Sequence, residues 1–233
     1  MIRKLLIIIF FFNLTACAEL QQVVNQFPQG TLGNDEIASG LRQALDYGID
    51  KQVSKLTQTD GFFRNELVKI LLPDELKKVD KTLRDVGLGN LADEGLKVLN
   101  RAAEDAVKEA TPIFVDAVKG ITFADAKSIL LGSDNAATQY LTSKTETALY
   151  AKFNPVIKNS FNKVGADKIW SNLITRYNAL PLTADVNPDL TDYVTKEALE
   201  GVYTMIAVEE KDIRNNFSSR TTDLLKKVFA LQD

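Results

Sequence analysis

The residues in this sequence best suited to chemistry are carboxylates. Histidine is absent, which removes the commonest general base, a Ser-His pair and imidazole metal ligation. Glu209 stands out among the acids. If residues 189–217 form one helix, Val194, Ala198, Val202, Met205, Ile206, Ile213 and Phe217 share an apolar face, and Glu209 falls near its centre. A carboxylate placed there gains a cationic or hydrogen-bonding partner, or its pKa rises. Both conditions occur at acid–base centres, and both also occur in structural ion pairs, the commoner case. Arg64, Arg84, Arg176 and Arg220 are the candidate partners. Glu209 is thus the one candidate catalytic residue, as the acid or base of a hydrolase or lyase.

Other chemistry finds less support. Glu209, Glu210 and Asp212 together suggest a hard cation, but adjacent carboxylates on one helix point apart, and no loop has calcium-ligand spacing. The expectation is a solvated acidic turn with no metal and no cofactor. Phosphate-binding glycine motifs are missing, and Gly87-Leu88-Gly89-Asn90 reads as a turn between helices. Trp170 and Tyr177, at i, i+7 in an apolar stripe, read as core. Phe62 and Phe63 after Asp60-Gly61 read as a loop pinned into the core.

These residues must be held by a fold, and the N-terminus indicates where that fold resides. Arg3 and Lys4 precede an apolar run, Leu5–Phe12, far short of the roughly 20 residues of a membrane span. The pattern fits an export signal. Leu14-Thr15-Ala16-Cys17 resembles the lipobox of bacterial lipoproteins, in which Cys17 is lipidated and residues 1–16 are removed. Cys17 is the only cysteine, so no thiol nucleophile and no disulfide remain. Two or three acyl chains anchor stably, at about 0.8 kcal/mol per buried methylene. By resemblance to lipoprotein sorting, where Asp after the Cys retains the protein in the inner membrane, Ala18 implies the outer membrane, facing the periplasm. The formal charge of −3 argues against a nucleic-acid partner.

Residues 17–33 read as a tether, and 34–233 as a single all-helical domain. The longest signal is 90–120. Leu91, Val98, Leu99, Ala102, Ala103, Ala106, Val107, Ala110, Ile113, Phe114, Ala117 and Val118 share a wide face, so this is the expected central helix. Asn90 would cap it, Pro112 would kink or split it near 108–111, and Gly120 would end it as a C′ glycine. Before it come helices over 34–56, 66–72 and from Pro73 to Gly87. After it come a Thr122 capping-box helix, one capped by Asp134 and running to 154, and a fresh one from Pro155. A stripe over 166–178, a connection over 180–188, and helices over 189–217 and 219–231 (capped by Ser218 or Ser219) finish the chain. No strand alternation is present. The fold class is all-α, a multi-helix bundle of roughly eight to ten helices around that long central helix.

Several stretches together resemble a known family. They are Asp60-Gly61-Phe62, Leu72-Pro73, Asn100-Arg101-Ala102-Ala103-Glu104, Asp134-Asn135-Ala136-Ala137-Thr138, Tyr177-Asn178-Ala179-Leu180-Pro181, Tyr193-Val194-Thr195 with Ala198-Leu199-Glu200-Gly201, and Glu209-Glu210 with Ile213-Arg214. From about Gly40 to Phe229 the chain is similar to the bacterial family catalogued as domain of unknown function 4197. The resemblance implies an exported protein or lipoprotein of a Gram-negative bacterium and carries no assigned activity. Arg101, Glu104, Glu209 and Arg214, charged residues of these motifs, form the candidate polar site. The expected role is a non-enzymatic module that binds an envelope protein or an apolar ligand. The alternatives are a carboxylate enzyme using Glu209 and a purely structural envelope protein.

Overall fold

Thr122 shows how local chemistry sets a helix boundary in this chain. Its hydroxyl accepts from the Asp125 N–H, while the Asp125 carboxylate takes the Thr122 hydroxyl and N–H. Those bonds, the hydroxyl first, hold the Asp125 carboxyl below its ordinary 3.8.

The computed structural model describes residues 33–85, 87, 89–164, 170–171, 174–175 and 189–232, with the backbone alone for 75, 82, 83, 91 and 164. The expected leader, lipobox and most of the tether, the 180–188 connection, Arg176 and Tyr177 lie outside the described residues. The helices are α1 Asn34–Leu56, α2 Asp74–Asp85, α3 Gly89–Val107, α4 Ala110–Lys119, α5 Phe123–Leu130, α6 Ala136–Val164, α7 Thr191–Asn215 and α8 Asp223–Phe229. A 3-10 turn, Phe217–Ser219, precedes α8. Among the described residues there is no strand, and no helix is long and apolar enough to cross a membrane.

The chain is all-α, as expected, with its centre displaced. The 90–120 segment splits into α3 and α4 at Lys108–Glu109. Pro112 then sits in the first turn of α4, where a missing N–H leaves no bond unmade. Asn90 lies inside α3 rather than capping it. Gly120 ends α4 with φ −74°, a right-handed conformation, so it is not the left-handed cap expected. The centre is the pair α6 and α7, which pack on each other and on α3, with α1 laid across α7, α4, α5 and α8. Leu141, Leu149, Phe153 and Ile157 of α6 and Val194, Ala198 and Val202 of α7 are fully buried. Phe114 of α4 meets the Tyr203 ring of α7 edge-on at 6.0 Å.

α6 also runs straight through Pro155, where a new helix was expected. Pro155 is exposed, and so is Ala151, whose carbonyl the ring deprives of its partner. The fault therefore lies on the solvent face, where the carbonyl is open to water. Pro155→Ala is expected to raise the unfolding free energy by about 1 kcal/mol, read from the urea midpoint. A fall instead would show that the proline ring helps to seat Phe153 and Ile157.

Three further boundaries differ. Residues 66–72 form turns and an extended run, with no helix. The chain after α7 turns tightly and leaves Phe217 exposed rather than on the core face. Thr222, not Ser218 or Ser219, caps α8 by accepting from the Leu225 N–H. Gly87 does end its segment as expected, at φ +81°, where a Cβ would be strained.

Candidate functional site

Glu209 is buried on α7, and both its oxygens are held by α1. Lys51 Nζ donates to Oε1 at 2.5 Å and Gln52 Nε2 to Oε2 at 2.6 Å. Gly48, one turn earlier on α1, gives the carboxylate room, since a Cβ there would stand 3.3 Å from Glu209 Cγ. The bond to Glu209 raises the Lys51 pKa above its ordinary value.

The described arginines expected as partners go elsewhere. Arg64 pairs with Asp60, and Arg84 with Asp80 and Asp93. Arg220 donates to the Ile213 and Arg214 carbonyls at the end of α7. The missed partner had a sequence signal. Leu45, Ile49, Gln52 and Leu56 lie at core spacing on α1, and Gln52 is the polar interruption.

Glu210 faces the opposite way, toward the start of α6, and is buried rather than part of a solvated turn. Its carboxylate takes the Ala137 N–H at 2.9 Å, the Thr138 N–H at 2.8 Å and the Thr138 hydroxyl at 2.8 Å. It therefore does the capping expected of Asp134, and its charge opposes the positive end of the α6 dipole. Arg214, one turn on, donates through Nε and Nη2 to Glu210 and also to the Ile129 and Leu130 carbonyls at the end of α5. One ion pair thus closes the end of α5 and the start of α6 from α7. Asp212 takes Asn216 and Ser219, and those bonds, Ser219 first, lower its pKa.

Arg101 and Glu104 belong to a third network. Arg101 bridges Glu104 at 2.8 Å and Asp60 at 2.7 Å, and Glu104 accepts the Phe62 N–H. Asp60 adopts φ +66°, and a Cβ on Gly61 would lie 2.5 Å from the Lys55 and Leu56 carbonyls. These contacts drive the Phe62 ring against Gly201 of α7, fully buried, as the pinned-loop reading requires. Phe63 stays half-exposed beneath Lys69. The four residues of the expected polar site are therefore drawn into three networks. Trp170 is buried against Gly95 of α3.

Open space lies beside two of these elements. Glu209 and Gln52 line a cleft of about 540 Å³ between α1 and α7. A groove of about 510 Å³ between α6 and α7 is lined by hydroxyls, among them Tyr203, whose burial pushes its pKa up to about 12. The space enclosed among α1, α7 and α8 is only about 20 Å³, room for one water. No metal-binding group of three or more His, Cys, Asp or Glu residues is found among the described residues. Each Glu209 oxygen already accepts one donor from α1, so the carboxylate ties α1 to α7.

No curated protein and no solved structure matches the chain. The model of the family described as Protein of unknown function (DUF4197) matches residues 31–230, nearly the whole chain, and the protein belongs to that family.

Proposed function

We propose that this protein is an envelope lipoprotein, held through Cys17 in the outer membrane and facing the periplasm, whose helical domain is a non-enzymatic binding module. The observation that carries the second half is the double engagement of Glu209. An acid–base residue keeps an oxygen within reach of substrate, and here donors from α1 hold both. Glu104, Glu210, Arg101 and Arg214 are spent in the same way, on a loop and two helix ends. The enclosed space beside Glu209, about 20 Å³, is too small for an apolar ligand. The α1–α7 cleft, polar and open, suits a small polar ligand or a partner's side chains.

The anchor and the module are tested separately. Cys17→Ser is expected to move the protein from the membrane pellet to the soluble periplasmic fraction and to abolish incorporation of labelled palmitate. Persistence of the label in that variant would end the lipoprotein reading. The module reading predicts a reproducible adduct on the full chain in native mass spectrometry from detergent, or a specific envelope protein crosslinked through Val208 in cells. With neither, the reading falls.

A further inference from the structure

The α1–α7 cleft carries polar groups that the protein does not use. Lys55 of α1 and Lys211 of α7 both line it, one from each helix. Neither ammonium has a hydrogen bond or ion pair among the described residues, and neither does the carboxylate of Asp134, which lines the same cleft. Gln52 lines it too and is only 1% exposed. Its amide nitrogen donates to Glu209, while its Oε1 has no donor. The amide cannot turn over, because its oxygen would then face a carboxylate that only accepts. A buried acceptor left unpaired destabilises the empty cleft.

These groups set a complementary pattern. An anionic group answers Lys55 and Lys211. An N–H donor with positive charge answers Gln52 Oε1 and Asp134. A simple anion would leave Gln52 unpaired beside Glu209, Asp212 and Asp134. A simple cation would meet the two free lysines. Met205 and Val208 add an apolar stretch of wall, and the volume suits a small molecule.

We propose that this cleft binds a small zwitterion carrying an ammonium and a carboxylate, either a free amino acid or a whole short peptide. The proposal rests on the binding-module reading and names its ligand class. Gln52 Oε1 is closed to water in the empty cleft. Lys51, half-exposed and bonded to Glu209 Oε1, lines the same cleft, and under this proposal the ligand ammonium replaces it on Glu209 and so gains access to the Gln52 oxygen.

Calorimetric titration of the full chain in detergent tests this, with L-glutamate, glycine and trialanine as probes and acetate and methylammonium as controls. At least one zwitterion is expected to bind, and neither control. Binding of glutamate or glycine alone assigns free amino acids, and binding of trialanine assigns short peptides. Lys55→Ala and Lys211→Ala touch exposed, unbonded side chains, so folding is unchanged while each weakens binding roughly threefold to tenfold. The proposal is overturned if no zwitterion binds, if acetate or methylammonium binds equally well, or if both variants keep full affinity. If the zwitterions fail while native mass spectrometry shows some other adduct, the ligand class falls and the module reading stands.

Discussion

Glu210→Ala is expected to lower the unfolding free energy by about 3–5 kcal/mol, the cost of breaking a buried ion pair from one side. The carboxylate makes three bonds at the start of α6 and two to Arg214, all buried. Removing it leaves the Ala137 and Thr138 N–H groups without acceptors and Arg214 as a buried cation without its counter-ion. Glu210→Gln should recover only part of the loss. Its single acceptor oxygen cannot serve both the helix end and the guanidinium, and its amide donors would face N–H groups. The variant that isolates the mechanism is the double replacement Glu210→Leu with Arg214→Met. It removes both charges at similar volume, so it should cost clearly less than the two single changes combined. Urea unfolding of the four proteins gives the cycle. Full additivity would show that the pair does not act as one unit and that α5 and α6 are held by packing alone.

What was legible in the sequence was what short-range chemistry decides. The bounds of α1, the Thr122–Asp125 box and the stop at Gly87 depend on residues within a turn of one another, and each stands where the local pattern puts it. Glu209 was legible as a buried acid, because its place on the apolar face of α7 is a matter of helical spacing. Its partners were not, because Lys51 and Gln52 lie more than 150 residues away and reach it only through the crossing of α1 and α7. The cap on α6 escapes the local pattern for the same reason. Asp134 has the right local position, but Glu210 arrives from another helix and takes the free N–H groups. Proline rules failed at Pro155, since they count the lost bond without knowing that Ala151 faces water.

Several of the motifs that resemble the family have a common physical reading among the described residues, because they meet one another. Asp60-Gly61-Phe62 is held by Arg101 and Glu104, and Phe62 packs on Gly201. The Ala137-Thr138 stretch is held by Glu210, which Arg214 ties to α5. Such pairs specify how helices and loops dock, so the charged residues most visible in the sequence build the fold. The groups left over for a ligand, Lys55, Lys211, Asp134 and the Gln52 oxygen, lie outside those pairings, and three of the four are unremarkable surface charges by pattern.

Asn100 is the second position where a large loss is expected, and it explains why residues 66–72 are not a helix. Its side chain is fully buried and reads the backbone of Ile70 as a strand would. Oδ1 takes the Ile70 N–H at 2.8 Å, and Nδ2 donates to the Ile70 carbonyl at 2.9 Å and to the Leu96 carbonyl at 2.8 Å. A helix over 66–72 would need that N–H and carbonyl for its own ladder, so this long-range pair overrides the local propensity. It also turns the Ile70 side chain into the core while Leu67 and Leu71 stay exposed. Asn100→Leu keeps the volume and removes the bonds, leaving two buried backbone groups of Ile70 without partners. The expected cost is about 2–4 kcal/mol, from one to three kcal/mol for each orphaned group less the gain of an apolar side chain. Because the lost bonds pin a loop, the local effect should exceed the global one. Limited proteolysis should cut between residues 64 and 72 in the variant well below its unfolding midpoint, while the parent protein resists. A variant that loses global stability without becoming cleavable there would show that Asn100 acts through α3 packing and not by pinning Ile70.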